Sequence, residues 1–160
     1  MKKEMRRKDK QVQDRSWIED VLKRGKYLYL GLATPDGDPY VVPLGYAYED
    51  GTIYLHGAAN GLKTDIIESN ARASFNVTLD IELVRDEKGS EFTNKYRSVT
   101  GFGDVSAITA LDEKNAALAI LMRNFGGPHS DITEEGSKSV WVAKISISEI
   151  TGKCSGYPKP

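Results

Sequence analysis

Residues 40–63 read YVVPLGYAYEDGTIYLHGAANGLK, and this stretch decides the fold. The Asp50-Gly51 pair is a strong hairpin turn, and it lies between two strand-like segments, residues 40–48 and 52–55. Residues 26–33, rich in tyrosine and leucine, form a further predicted strand before it. The pattern therefore predicts a three-stranded antiparallel meander.

Pro43 interrupts the second of these strands. Proline has no N–H group to donate to a ladder, so it belongs on a sheet edge or at a bulge. Such positions often lie beside a ligand. Pro43 thus indicates where the meander is open to another molecule.

The segment from His56 to Lys63 combines features that suit a phosphate group. The strand breaks at His56, a glycine-containing loop follows, and a short helix begins near residue 62. Free N–H groups and the positive end of the dipole make a helix N-terminus attractive to anions. Lys63 is unfavourable for that dipole unless an anion is nearby. The residues alone leave two alternatives open, a purely structural loop and a structural role for His56.

The rest of the chain alternates strands with helices. Ser16 and Glu19 form a capping box for a helix over 16–24, and Gly25 is expected in the left-handed conformation. Further predicted elements are a short helix (62–69), strands (71–79, 96–108 and 140–147), a polar loop or excursion (80–94), a helix (111–125) and a polar tail after residue 151. Gly101 and Gly103 indicate a bulge or a close backbone approach. Six antiparallel strands with flanking helices predict a mainly β fold, a small barrel or roll.

Composition limits the classes of function. The 160 residues fit a single domain over 1–160, with 28% charged residues and a net charge of −1. No apolar run is long enough for a membrane helix, and the charge gives no long-range attraction to nucleic acid or anionic membranes. Cys154 is the only cysteine, which predicts a reducing, cytoplasmic location. His129 and Cys154 are too scattered to predict a metal site.

Residues 1–13 form a basic N-terminal arm. A solvated, partly mobile terminus is the favoured interpretation, since the arm has no aromatic residue to stack on bases. Contact with nucleic acid is the alternative, and deletion of the arm would test it.

In combination, these segments resemble the pyridoxamine 5′-phosphate oxidase-related FMN-binding split barrels, and most closely their nitroimidazole-resistance (Nim-type) reductase branch. The resemblance rests on YVVPL, DGTIYLH and GLK within residues 40–63, and on YRSVTGFG at 96–103 followed by the predicted helix. It also includes the opening MRRKD at 5–9 and the closing ITGK at 150–153.

The resemblance implies a six-stranded antiparallel split β-barrel that forms a homodimer, with FMN at the interface. Val42, Pro43 and Leu44 would lie along the flavin ring. His56 and Gly57 would lie near the ring or the ribityl chain, with His56 as the catalytic residue. Asn60 and Lys63 would lie near the phosphate, and further ring contacts would come from the partner subunit. Those further contacts would come from Tyr96 and Ser98 or from Trp141.

One departure from the family pattern limits the expected activity. Oxidases of vitamin B6 carry an arginine-rich motif near the C-terminus, whereas residues 154–160 contain no arginine. The expected function is therefore electron transfer from a small-molecule donor to a small acceptor, in the manner of a nitroreductase or flavin reductase. A flavin carrier without turnover is one alternative, and a haem-binding barrel with His129 as axial ligand is another.

Overall fold

Alternating buried and exposed side chains build seven strands in residues 5–128 and 134–160, the part of the chain that the computed structural model describes. The strands are β1 (Gln11–Val12), β2 (Tyr27–Ala33), β3 (Pro39–Glu49), β4 (Thr52–Gly57), β5 (Arg72–Val84), β6 (Thr93–Ala107) and β7 (Trp141–Ser155). The helices are α1 (Arg15–Arg24), α2 (Leu62–Ser69), α3 (Leu111–Phe125) and α4 (Glu134–Ser139), and a 3₁₀ turn at Lys8–Lys10 precedes β1.

The strands close into a ring. Their order is β1-β7-β4-β3-β2-β5-β6, and β6 pairs with β7 again, so six long antiparallel strands form a barrel. The first part of β7 pairs with β4, while its later part pairs with β1 at Gln11 and Val12. The mainly β, six-stranded split barrel expected from the sequence is confirmed, with β1 as a short seventh strand.

Inward-facing side chains of all six long strands fill the barrel, and α1 closes one end. Ile18, Val21 and Leu22 of α1 are buried against this core. The buried Tyr46 hydroxyl donates a hydrogen bond to the Leu22 carbonyl oxygen at 2.6 Å. Burial raises the pKa of Tyr46 because the charged phenolate is disfavoured inside the protein. This contact fastens α1 to β3.

The cap of α1 differs from the prediction. Asp14 is the N-cap, and its carboxylate accepts from the Trp17 N–H at 2.8 Å and from the Ser16 hydroxyl at 2.6 Å. The predicted capping box of Ser16 and Glu19 is therefore wrong, because a stronger acceptor lies two residues earlier. Glu19 instead forms an ion pair with Arg15.

Gly25 is not left-handed either, since its φ is −65°. A side chain there would collide with the Tyr46 hydroxyl, so close packing accounts for the glycine. Gly101 and Gly103 lie at a register shift between β6 and β7, where an added Cβ would strike Phe75 or the Ser146 carbonyl. The predicted bulge or close approach at these two glycines is confirmed.

Two segments extend further than the sequence indicated. Within the polar region 80–94, β5 continues to Val84 and β6 begins at Thr93, so the predicted loop is confined to residues 85–92. A bulge lies between Leu79 and Glu82, and Asp80 is left-handed. The tail after residue 151 continues β7 to Ser155, because β6 and β1 provide partners there. Helix α4, before β7, was not predicted.

We expect Gly25→Ala to destabilise the fold by about 1–3 kcal/mol, because the new methyl group displaces the Tyr46 hydroxyl from its bond to Leu22. Urea unfolding of the purified protein measures this. Gly89→Ala is the matched control, since nothing lies within 4 Å of a Cβ at that position. Equal midpoints for the two variants would contradict the packing explanation.

Candidate functional site

The first half of β3 is an open sheet edge. Residues 39–45 pair with β2 on one side, but β4 pairs with β3 only from Tyr46 onward. The Tyr46 N–H donates to the Lys26 carbonyl on the β2 side, so strand alternation turns the backbone of Val41, Pro43 and Gly45 to the open side. The sequence prediction that Pro43 lies on an edge is confirmed. The N–H groups of Val41 and Gly45 are left facing a possible ligand.

The loop between β4 and α2 lies next to the start of β7. Gly57, the last residue of β4, pairs with Trp141, the first residue of β7. The Lys63 side chain passes over Gly57, where an added Cβ would lie 3.7 Å from Lys63 Cε. Lys63 Nζ then lies 3.5 Å from the centroid of the Trp141 ring. Long-range pairing thus brings residues from β4, α2 and β7 to one place.

The Lys63 ammonium group has no counter-ion among the side chains that the structure describes. None of their carboxylates lies within ion-pair distance of it. Its hydrogen-bond acceptor is the Ala58 carbonyl oxygen, at 3.5 Å. Partial burial lowers the pKa of Lys63 because it disfavours the charged form. An anion at this position would relieve that cost.

The first turn of α2 has no side-chain cap. Gly61 is the N-cap residue, with φ of 129°, a conformation that side chains rarely adopt. The Thr64 hydroxyl donates to the Gly61 carbonyl oxygen and so does not serve the free N–H groups. These N–H groups, the positive helix end and Lys63 together form a cradle that suits a phosphate.

Aromatic side chains border the open edge of β3. Phe125, at the end of α3, is tilted against Tyr27 and edge-on to His56, with ring centroids 6.3 Å apart in each pair. A Cβ at Gly45 would lie 2.9 Å from the Phe125 ring and 3.7 Å from His56 Nε2. His56 itself is exposed. The arrangement is an apolar wall with one imidazole at its rim.

The outer face of β2 and β3 carries large apolar side chains in solvent. Tyr27, Tyr29 and Val41 are 67%, 57% and 63% exposed, and Tyr29 lies opposite Pro43 in the ladder. Sequence reasoning did not select Tyr27, Tyr29, Val41 or Phe125. In β2, Tyr27 and Tyr29 alternate with buried Leu28 and Leu30, and this pattern could have identified the two tyrosines as outward-facing.

The residues selected from the sequence divide into three groups. One group belongs to neighbouring strands and the loop and helix that follow β4: Val42, Pro43 and Leu44 on β3, His56 and Gly57 on β4, Asn60 in the loop, Lys63 on α2, and Trp141 on β7. Pro43 faces outward, whereas Val42 and Leu44 pack against the core. Tyr96 and Ser98 lie on β6, beside the other end of β7. His129 lies outside the described residues.

The described residues include neither a metal-binding cluster nor a membrane-spanning helix. The described ranges contain no group of three or more histidine, cysteine, aspartate or glutamate side chains that could hold a metal ion. Within the same ranges, no helix has both the length and the apolar character needed to span a membrane. The cationic Lys63, the open edge of β3 and the Phe125 ring could together receive a molecule with an anionic end and a flat apolar body.

Comparison with known proteins gives one family. A family model described as pyridoxamine 5′-phosphate oxidase matches residues 14–154. No curated protein matches the chain by sequence. Among solved structures, a candidate 5-nitroimidazole antibiotic resistance protein from Bacteroides thetaiotaomicron is similar, with a TM-score of 0.80 and 27% identity. That match covers 89% of this chain and 85% of the other.

Two more distant structures share the fold. The FAD and heme binding protein from Mycobacterium smegmatis has a TM-score of 0.82 at 24% identity, covering 94% of this chain and 76% of its own. A flavocytochrome from Azotobacter vinelandii has a TM-score of 0.79 at 22% identity, covering 97% and 73%.

We expect the Lys63 side chain to lose its proton at lower pH than a solvated lysine, because burial disfavours the ammonium form. Lys144 is the internal reference, since its hydrogen bond to Glu113 raises its pKa. Titration of the lysine ¹³Cε resonances by NMR, with Lys63→Arg for assignment, measures both. A Lys63 midpoint equal to or above that of Lys144 would contradict the described environment.

Proposed function

Because the chain belongs to the pyridoxamine 5′-phosphate oxidase family, we propose that it is an FMN-binding oxidoreductase that passes electrons from a small-molecule donor to a small acceptor. The observation that carries the proposal is the Lys63 ammonium group, which pairs with no described carboxylate and belongs to the first turn of α2, whose N-cap makes no side-chain hydrogen bond. This cradle lies next to an open strand edge, so it can hold a phosphate while a flat ring occupies the edge.

The phosphate end of the cofactor is assigned to the β4–α2 loop. FMN carries a phosphate of about −2 charge, which Lys63 and the free N–H groups of α2 would neutralise. Asn60 and Gly57 belong to the same loop, and Gly57 allows the Lys63 chain to pass close to the backbone. We assign Asn60 as a further polar contact of the phosphate.

The ring of the cofactor is assigned to the open edge of β3. There the N–H groups of Val41 and Gly45 can donate to ring acceptors, and Pro43 presents only its apolar ring. Val42 and Leu44 would support this edge from the core side, since their side chains pack inward. Phe125 would exclude water from one side of the flavin.

A bound flavin supplies the redox chemistry, and the chain binds and orients it. His56 is the residue we assign to proton transfer. Its exposed Nε2 lies at the rim of the site, where a donor or acceptor would approach. We do not extend the proposal to oxidation of pyridoxamine 5′-phosphate, since residues 154–160 contain no arginine. The proposed compartment is the cytoplasm, where the buried thiol of Cys154 would remain reduced.

We propose that two copies associate through the outer face of β2 and β3. Exposed apolar patches of this kind mark interfaces on soluble proteins. In such a dimer, Tyr96 of β6 would complete the partner's site, whereas the Ser98 side chain is buried within its own subunit and could not. The support is the set of exposed side chains at Tyr27, Tyr29 and Val41.

A flavin carrier without turnover would use the same site and is the second hypothesis. The two differ in kinetics, so anaerobic mixing of the FMN-loaded protein with NADH or NADPH distinguishes them. Reduction followed by reoxidation with a nitroaromatic acceptor supports the oxidoreductase. Bound flavin that no donor reduces supports the carrier.

We expect the protein to bind FMN, and Lys63→Ala to weaken binding by about 1.5–3 kcal/mol, since a charge-assisted contact is lost. Quenching of flavin fluorescence measures the dissociation constant. Lys144→Ala is the matched control, because Lys144 contacts Glu113 instead of the cradle. A protein that is purified without flavin and does not bind added FMN would contradict the proposal. If Lys63→Ala left the dissociation constant for FMN unchanged, the phosphate would have to bind elsewhere.

We also expect Tyr29→Asp to yield a monomer with reduced FMN affinity, because it introduces a charge on the proposed interface. Tyr29→Phe keeps the apolar surface and should remain dimeric. Light scattering after size-exclusion chromatography gives the mass of each variant. Retention of FMN by a monomeric Tyr29→Asp protein would contradict a site shared between subunits.

A further inference from the structure

We propose that Trp141 is a positioning residue for the anion site, with its indole ring holding the Lys63 ammonium group at the entrance of α2. This inference rests on the proposed function and concerns how the same site is organised. It assigns to Trp141 a role through Lys63 of its own subunit, different from the ring contact across an interface that the family resemblance implies.

The geometry around Lys63 Nζ supports this role. An ammonium group has three N–H donors. The Trp141 ring face lies 3.5 Å from Nζ, and the Ala58 carbonyl oxygen also lies 3.5 Å away. With these two directions occupied, the third N–H is left for a ligand. These two contacts define the position of the ammonium group.

A ring suits this task better than a carboxylate would. The face of an indole attracts a cation through its quadrupole and carries no net charge. A glutamate or aspartate would hold Lys63 equally well but would repel a phosphate. Because no carboxylate in the described ranges pairs with Lys63, the positive charge of the site remains available.

Trp141 is itself held firmly. It pairs with Gly57 at the start of β7, and its side chain packs against the barrel core. A free lysine side chain has many rotamers, and fixing them on binding costs affinity. The Trp141 ring restricts Lys63 in advance, so a bound phosphate meets a charge that is already in place.

A double-mutant cycle tests the inference by FMN binding to the full chain. We expect Trp141→Leu to weaken FMN binding by about 3- to 10-fold, and Trp141→Phe to weaken it less, since a ring remains. On a Lys63→Met background, Trp141→Leu should cause no further loss, because its effect passes through the ammonium group. Trp17→Phe is the matched control for loss of an indole, since Trp17 packs on the distant Gly152.

The alternatives give different results. If Trp141→Leu lowers affinity by the same factor with and without Lys63, Trp141 supports the fold or the flavin ring, and the inference is overturned while FMN binding stands. Unfolding curves identify any variant that fails to fold. If Trp141→Leu is unfolded, Trp141→Phe replaces it in the double-mutant cycle.

A second measurement tests the inference even if the wild-type protein binds no FMN, a result that would contradict the proposed function. In the Trp17→Phe protein, Trp141 is the single tryptophan. We expect its emission to change saturably on titration with inorganic phosphate, and the change to be absent when Lys63→Met is added. Emission that does not respond to phosphate would overturn the inference independently of the flavin.

Discussion

The pairing of β7 with three other strands is the constraint on which the rest of the structure depends. β6 runs along almost the whole of β7, while β4 and β1 share its other side. Because β4 occupies only the first part of β7, the barrel closes there and splits beyond it. The same pairing sets Trp141 against Gly57, and so places Lys63 and the start of α2. The strand pairing that closes the barrel therefore also brings Trp141, Gly57 and Lys63 together.

Local chemistry made much of the fold predictable. The Asp50-Gly51 turn predicted the hairpin of β3 and β4. The apolar stripe of α3 and the two glycines after it predicted the helix Leu111–Phe125. Pro43 indicated an edge because its missing N–H excludes a central position. Features that depend on strands far away in the sequence were not predicted. The end of β7 has a polar sequence and becomes a strand only because β1 and β6 provide hydrogen bonds.

The candidate site divides in the same way. His56 and Lys63 are close in sequence, so a strand, a loop and a helix start indicated a candidate phosphate site there. The roles of Gly57 and Asn60 followed only from the family resemblance. The contact between Lys63 and Trp141 joins residues that are far apart in the chain, and only barrel closure brings them together. Phe125 belongs to the apolar face of α3. Its local sequence does not show whether its ring packs in the core or, as in the structure, beside His56.

The half-paired β3 also bears on how the chain avoids polymerising. A strand edge with free N–H and carbonyl groups is a template onto which a foreign strand can add, and aggregation often begins there. Pro43 lies in the middle of that edge, facing its open side, and offers an incoming strand no donor. Pro43, in the middle of the edge that is open to a ligand, therefore also protects the free chain from growing into a cross-strand assembly. A β-branched residue at this position would restore the missing N–H donor on this edge and weaken that protection.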